Sequence, residues 1–153
     1  MKIRGLLLVV AVPVLLVALF GVGDWWEHLP KPSFKRHFGS PIPKSVKITE
    51  KWGCTGLAGS SEYIVFTIAP DDLEHIITSR GLKPMELTGP EAGFVGTNQM
   101  IYVSQLNDDI KIAREHGVIP CKAFIDGKWD GMVYYLLLVD TNGTTAVYHY
   151  SKI

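Results

Sequence analysis

The dipeptide Asn142-Gly143, set between the strand-like runs Met132 to Asp140 and Thr144 to Ser151, constrains this chain more than any other short segment. Asparagine followed by glycine suits a two-residue hairpin turn with positive φ at both positions, and such a turn dictates which residues of the two strands oppose each other. With Thr141 opposite Thr144, the pairs run Val139 with Ala146, Leu137 with Tyr148 and Tyr135 with Tyr150 on one face, which is read as core. The other face carries Tyr134, Leu136, Leu138, Val147 and His149, more apolar than a solvated sheet face should be. Either a helix covers it or a partner does, and the second alternative makes these five residues the candidate binding face.

At the other end of the chain, Gly5 to Gly23 holds nineteen residues without a charge, after the basic start Met1-Lys2-Ile3-Arg4. A helix of that length spans about 28 Å, close to the hydrocarbon layer of a bilayer. Trp25 and Trp26 follow where an interfacial aromatic belt would sit, and no good cleavage site is present, so the expectation is a retained anchor rather than a cleaved signal. Residues 1–23 are thus expected to form a transmembrane helix or signal anchor, with the lipid bilayer as partner through residues 5–23. The basic N-terminus and the acidic Asp24 and Glu27 favour a single pass through the cytoplasmic (inner) membrane with the C-terminal part outside the cytoplasm, periplasmic in character. Residues 24–44, with Pro30, Pro32, Pro41 and Pro43 among Lys31, Lys35 and Arg36, read as a basic, proline-rich, extended linker.

Residues 45–153 have the length of one α+β domain. Ser45 to Trp52 alternates, with Val46, Ile48 and Trp52 on one face; Glu62 to Ile68 is β-rich, and the glycines between Gly53 and Gly59 read as a long hairpin loop. Pro70 opens a helix, Asp71 and Asp72 suit its first turn, and Gly81 closes it. A second helix is expected from about Ser104 to His116, with Leu106, Ile110 and Ala113 inward and Gly117 as its stop. Lys83 to Gln99 reads as a long loop. The expected order after the transmembrane helix is β-β-α-α-β-β, two antiparallel hairpins and two helices.

The chemistry-bearing residues offer no linear motif. Cys54 and Cys121 are the only cysteines, and in an exported domain they would form a disulfide. Asp126 to Gly131 starts like a calcium loop but has Lys128 at a ligand position and Leu137 where a bidentate Glu is needed, so it reads as consecutive turns. Gly59-Ser60-Ser61-Glu62 lacks a nucleophile elbow, and no spacing ties a serine to His75, His116 or His149. Asp108-Asp109 reads as solvated helix charge. Fifteen basic against fifteen acidic residues, scattered, give no nucleic-acid footprint. No catalytic residue, cofactor or metal site is assigned. The leading expectation is non-enzymatic binding of a protein or envelope component. The alternatives are a small envelope hydrolase or transferase using His116 or His149 near the 83–99 loop, and a subunit of a membrane complex. Convergence of His, Cys or carboxylate groups in space is what separates enzyme from binding module.

Overall fold

The computed structural model describes residues 29–56, 59–87, 99–126 and 133–152. The apolar run 5–23 lies outside the described residues, and among those described no helix is long and apolar enough to cross a membrane. The expected transmembrane helix, and the single-pass, anchored and periplasmic description built on it, therefore have no structural support. The chain divides into two compact units, residues 1–39 and 40–153.

In the first unit, Pro30–Phe38 forms a helix, α1, where the prolines had suggested an extended linker. A proline in the first turn lacks an N–H that has no intrahelical partner anyway, so Pro30 starts a helix as readily as it extends a linker. Gly39, at φ +89°, ends it with its N–H on the Lys35 carbonyl at 2.8 Å.

The second unit is built on one antiparallel sheet of six strands. These are β1 (Lys47–Gly56), β2 (Gly59–Thr67), β3 (Leu82–Met85), β4 (Pro120–Asp126), β5 (Val133–Asp140) and β6 (Thr145–Lys152). Between them lie α2 (Pro70–Arg80), after β2, and α3 (Gln99–Glu115), after β3. The strands lie in the order β1-β2-β6-β5-β4-β3. The expected β-β-α-α-β-β arrangement is corrected: two strands that periodicity did not mark flank α3. β3 has four residues and contains Pro84, which an edge strand tolerates because its outer N–H needs no partner. β4 opens on Pro120-Cys121-Lys122, and its alternation shows only at buried Ala123 and Ile125.

The helices end where the sequence places their stops. Gly81 adopts φ +64° and donates to the Ile77 and Thr78 carbonyls, closing α2. At the end of α3, Val118 N–H reaches the Ala113 carbonyl at 2.9 Å past Gly117. α3 begins at Gln99, earlier than expected, and its apolar stripe seats Leu106 and Ala113 in the core.

The β5–β6 register matches the expected one, pairing Tyr135 with Tyr150, Leu137 with Tyr148 and Val139 with Ala146. The turn is built differently. Among the described residues only glycines have positive φ, so Gly143 alone, at +69°, takes the left-handed conformation. Asp140 does the rest: its carbonyl accepts from Gly143 N–H, and its Oδ1 accepts from Thr144 and Thr145 N–H at 2.9 and 3.1 Å.

The first hairpin is longer than expected. Its ladder runs through the glycines to Gly56 opposite Gly59, and Gly53 lets β1 lie so close to β2 that a Cβ there would sit 2.3 Å from the Ser61 carbonyl oxygen. A bulge between Ile48 and Glu50 also breaks the simple alternation: Ile48 pairs with Phe66 but Trp52 pairs with Tyr63, so the two lie on opposite faces of the sheet.

Both faces of the sheet are buried. One carries Ile64, Phe66, Leu137, Val139, Ala146 and Tyr148, with Arg80 of α2 5.4 Å above the Tyr135 ring. The other packs Val65, Leu136, Leu138 and Val147 in one cluster with Leu106 and Ala113 of α3. This corrects the candidate binding face: Tyr134, Leu136, Leu138, Val147 and His149 are 8 % exposed or less, because α3 covers them. They are core.

The expected disulfide is also corrected. Cys121 is an exposed free thiol, its Sγ directed at the Asp140 carbonyl at 3.2 Å. The Cys54 side chain lies outside the described residues, but its backbone is on β1 opposite Ser61, and β2, β6 and β5 lie between β1 and β4. Four strand spacings of about 4.8 Å give roughly 19 Å, far beyond the ~7 Å a disulfide can bridge. The turn region 127–132 and most of the 83–99 loop, residues 88–98, lie outside the described residues as well.

Candidate functional site

Strand register brings together side chains that are far apart in the chain. Ser61 and Tyr63 alternate onto the same face of β2, the face that α3 covers. On β6, Ser151 lies opposite Ser61 and His149 opposite Tyr63; on β5, Tyr134 lies opposite Ser151. His149 is thus the diagonal neighbour of Ser61, within reach of a long side chain. Above them, Asp109 occupies the inward position of α3 between Leu106 and Ala113 and is 1 % exposed.

Asp109 is the centre of the polar cluster. Its Oδ1 accepts from the Tyr63 hydroxyl at 2.9 Å and from Gln105 Nε2 at 3.4 Å, and its Oδ2 accepts from the Tyr134 hydroxyl at 3.0 Å. His149 Nδ1 lies 2.8 Å from Oδ1. That contact is a close charge approach without hydrogen-bond geometry, Nδ1 being buried with no hydrogen-bond partner among the described residues. In the tautomer protonated at Nδ1, the one that faces the carboxylate with a positive edge, the other ring nitrogen presents a lone pair. That nitrogen, Nε2, is 3.0 Å from the Ser61 hydroxyl, which donates to it in this tautomer. The result is a chain from hydroxyl to imidazole to carboxylate. Its two inner members are buried, and Ser61, half-buried, is the member that meets solvent.

Stacked rings hold the imidazole in place. The Tyr63 ring lies 4.0 Å from that of His149 at an interplanar angle of 7°, and Tyr134 meets His149 edge-on at 5.4 Å. The column continues outward through Trp52, 5.2 Å from Tyr63, to His116, 4.0 Å from Trp52. Burial, and after it the negative charge of Asp109, pushes the Tyr63 hydroxyl far above the ordinary tyrosine range. Tyr63 therefore keeps its proton, and with it the hydrogen bond to Asp109, well above the pH at which a free tyrosine ionises.

The histidines singled out in the sequence fall in three different places. His149 is in the relay. His116 pairs with Glu50 at 2.6 Å on the rim, two rings away from His149, and His75 is exposed on α2. Asp109 is no solvated charge like its neighbour Asp108, which is exposed. Its offset of three from Leu106 and four from Ala113 puts it on the apolar stripe, and that spacing was the available signal. Among the described residues, no group of three metal-ligating side chains converges. A groove of about 550 Å³ on α3, lined by Leu87, Ile110, Lys111, Arg114 and neighbours, contains none of the relay residues.

Chemically, a serine hydroxyl hydrogen-bonded to an imidazole that lies against a buried carboxylate has the parts from which a general-base-activated nucleophile is built. No family model, curated protein or solved structure matches the chain.

Proposed function

We propose that the domain is a small acyl hydrolase in which Ser61 is the nucleophile, His149 the general base and Asp109 the residue that orients and charge-stabilises the imidazole. The observation that carries the reading is the succession Ser61 Oγ, His149 Nε2, His149 Nδ1, Asp109 Oδ1, a hydrogen bond of 3.0 Å followed by a charge contact of 2.8 Å. In the first half-reaction Ser61 Oγ bonds to the carbonyl carbon of an ester and its proton passes to Nε2. The carbonyl π pair moves onto oxygen, then returns to expel the alcohol, which takes the proton back from His149. Water repeats the sequence on the acyl-Ser61 and releases the carboxylic acid.

A second reading is favoured by one specific observation: Tyr63, Tyr134 and Gln105 also donate to Asp109, so the carboxylate is held by three groups besides His149. In that reading the network is a keystone joining α3 to the sheet, and the domain is a non-enzymatic binder of a protein or envelope component. A fluorophosphonate probe decides between them. The hydrolase reading expects one phosphonyl group per chain on Ser61, absent from Ser61→Ala and slowed strongly in His149→Ala. A folded wild-type protein that is neither labelled nor active on p-nitrophenyl esters refutes it and leaves the binding reading.

A further inference from the structure

The attack on a carbonyl places negative charge on its oxygen, and an enzyme of this class supplies hydrogen-bond donors to that oxygen. In many sites backbone N–H groups do this. Here they are committed, because Ser60, Ser61 and Glu62 lie on a strand paired on both sides, with β1 and with β6. A donor for an oxyanion at Ser61 has to come from a side chain on the same face of the sheet.

Register supplies one. Ser151 on β6 stands directly opposite Ser61, so the two side chains rise from the same face with Cβ atoms about 4.5–5.5 Å apart. It is half-buried like Ser61, so both positions are partly open to a carbonyl group arriving from solvent. Among the described residues no group engages the Ser151 hydroxyl. The other polar side chain close by, Gln105, already directs its Nε2 to Asp109 Oδ1. His149 Nε2 is taken up with the proton of Ser61 and is unavailable to the oxyanion.

We propose that Ser151 is a catalytic residue, the side-chain oxyanion donor for acyl transfer at Ser61. The inference rests on the hydrolase reading above. When the Ser61 Oγ to carbon bond forms and the π pair moves onto the carbonyl oxygen, the Ser151 O–H donates to that oxygen. It releases it as the pair returns and the alcohol leaves. No proton is transferred from Ser151 at any step.

The test uses the full chain and a p-nitrophenyl ester, with Ser151→Ala, Ser151→Thr and Ser61→Ala compared by circular dichroism for intact folding. Ser151→Ala is expected to lower kcat by about 10²-fold, the effect of removing one oxyanion donor, with KM little changed. Ser151→Thr keeps the hydroxyl and restores most of the lost rate, which a purely structural role at this position would not produce. Should Ser151→Ala turn over like wild type while Ser61→Ala is inactive, the hydrolase reading stands and the role of Ser151 is overturned. Wild type lacking any Ser61-dependent turnover overturns both.

Discussion

Replacing Asp109 by Ala removes the acceptor that two buried hydroxyls share, those of Tyr63 and Tyr134, and the carboxylate that lies against the His149 imidazole. Each donor left unpaired in the core costs about 1–3 kcal/mol. The buried charge that disappears returns part of this, because its own desolvation no longer has to be met. A net loss of about 4 kcal/mol is expected, a large share of the 5–15 kcal/mol typical of a domain. At a urea m-value of about 1.5 kcal/mol/M, the midpoint falls by roughly 2–3 M, read by far-ultraviolet circular dichroism. The distinguishing result is the triple variant Tyr63→Phe, Tyr134→Phe, Asp109→Ala. With both orphaned hydroxyls gone, it should be more stable than Asp109→Ala alone by about 2 kcal/mol or more, against simple additivity. If Asp109→Ala shifts the midpoint by less than about 0.5 M, or if the two Phe changes add further loss on top of it, the carboxylate is not the hub described here.

Leu136 and Leu138 are 0 and 1 % exposed beneath α3, so changing both to Ser should cost at least about 4 kcal/mol and unfold the domain. A folded double variant with altered surface binding would restore the exposed-face reading. Alkaline stability gives an independent check. Burial raises the Tyr63 and Tyr148 hydroxyls, so the folded state keeps their protons while the unfolded chain releases them above about pH 10. The unfolded state then binds fewer protons, so stability is full below that pH and falls as pH rises, by about 1.4 kcal/mol per unit for each tyrosine. Tyr63→Phe should make this decline shallower in urea titrations between pH 9 and pH 11, and an unchanged slope would contradict the buried donor role.

Sequence signals in this chain act over short range. Asn142-Gly143 and the alternation around it dictate the β5–β6 register, and Pro70 with Gly81 bound α2, because turn chemistry and capping act over a few residues. Alternation says which face of a strand a residue takes but not which strand lies beside it, and tertiary structure decided that. The insertion of β6 between β2 and β5 sets His149 beside Ser61, 88 residues away, and separates Cys54 from Cys121 by three strands. The position of Asp109 on the stripe of α3 was legible from its spacing. Its partners were not, since they come from β2, β5 and β6. Whether the second hairpin face met solvent, a partner or α3 was likewise a matter of packing: a helix and a partner bury the same apolar pattern equally well, and only the path of the chain chose α3.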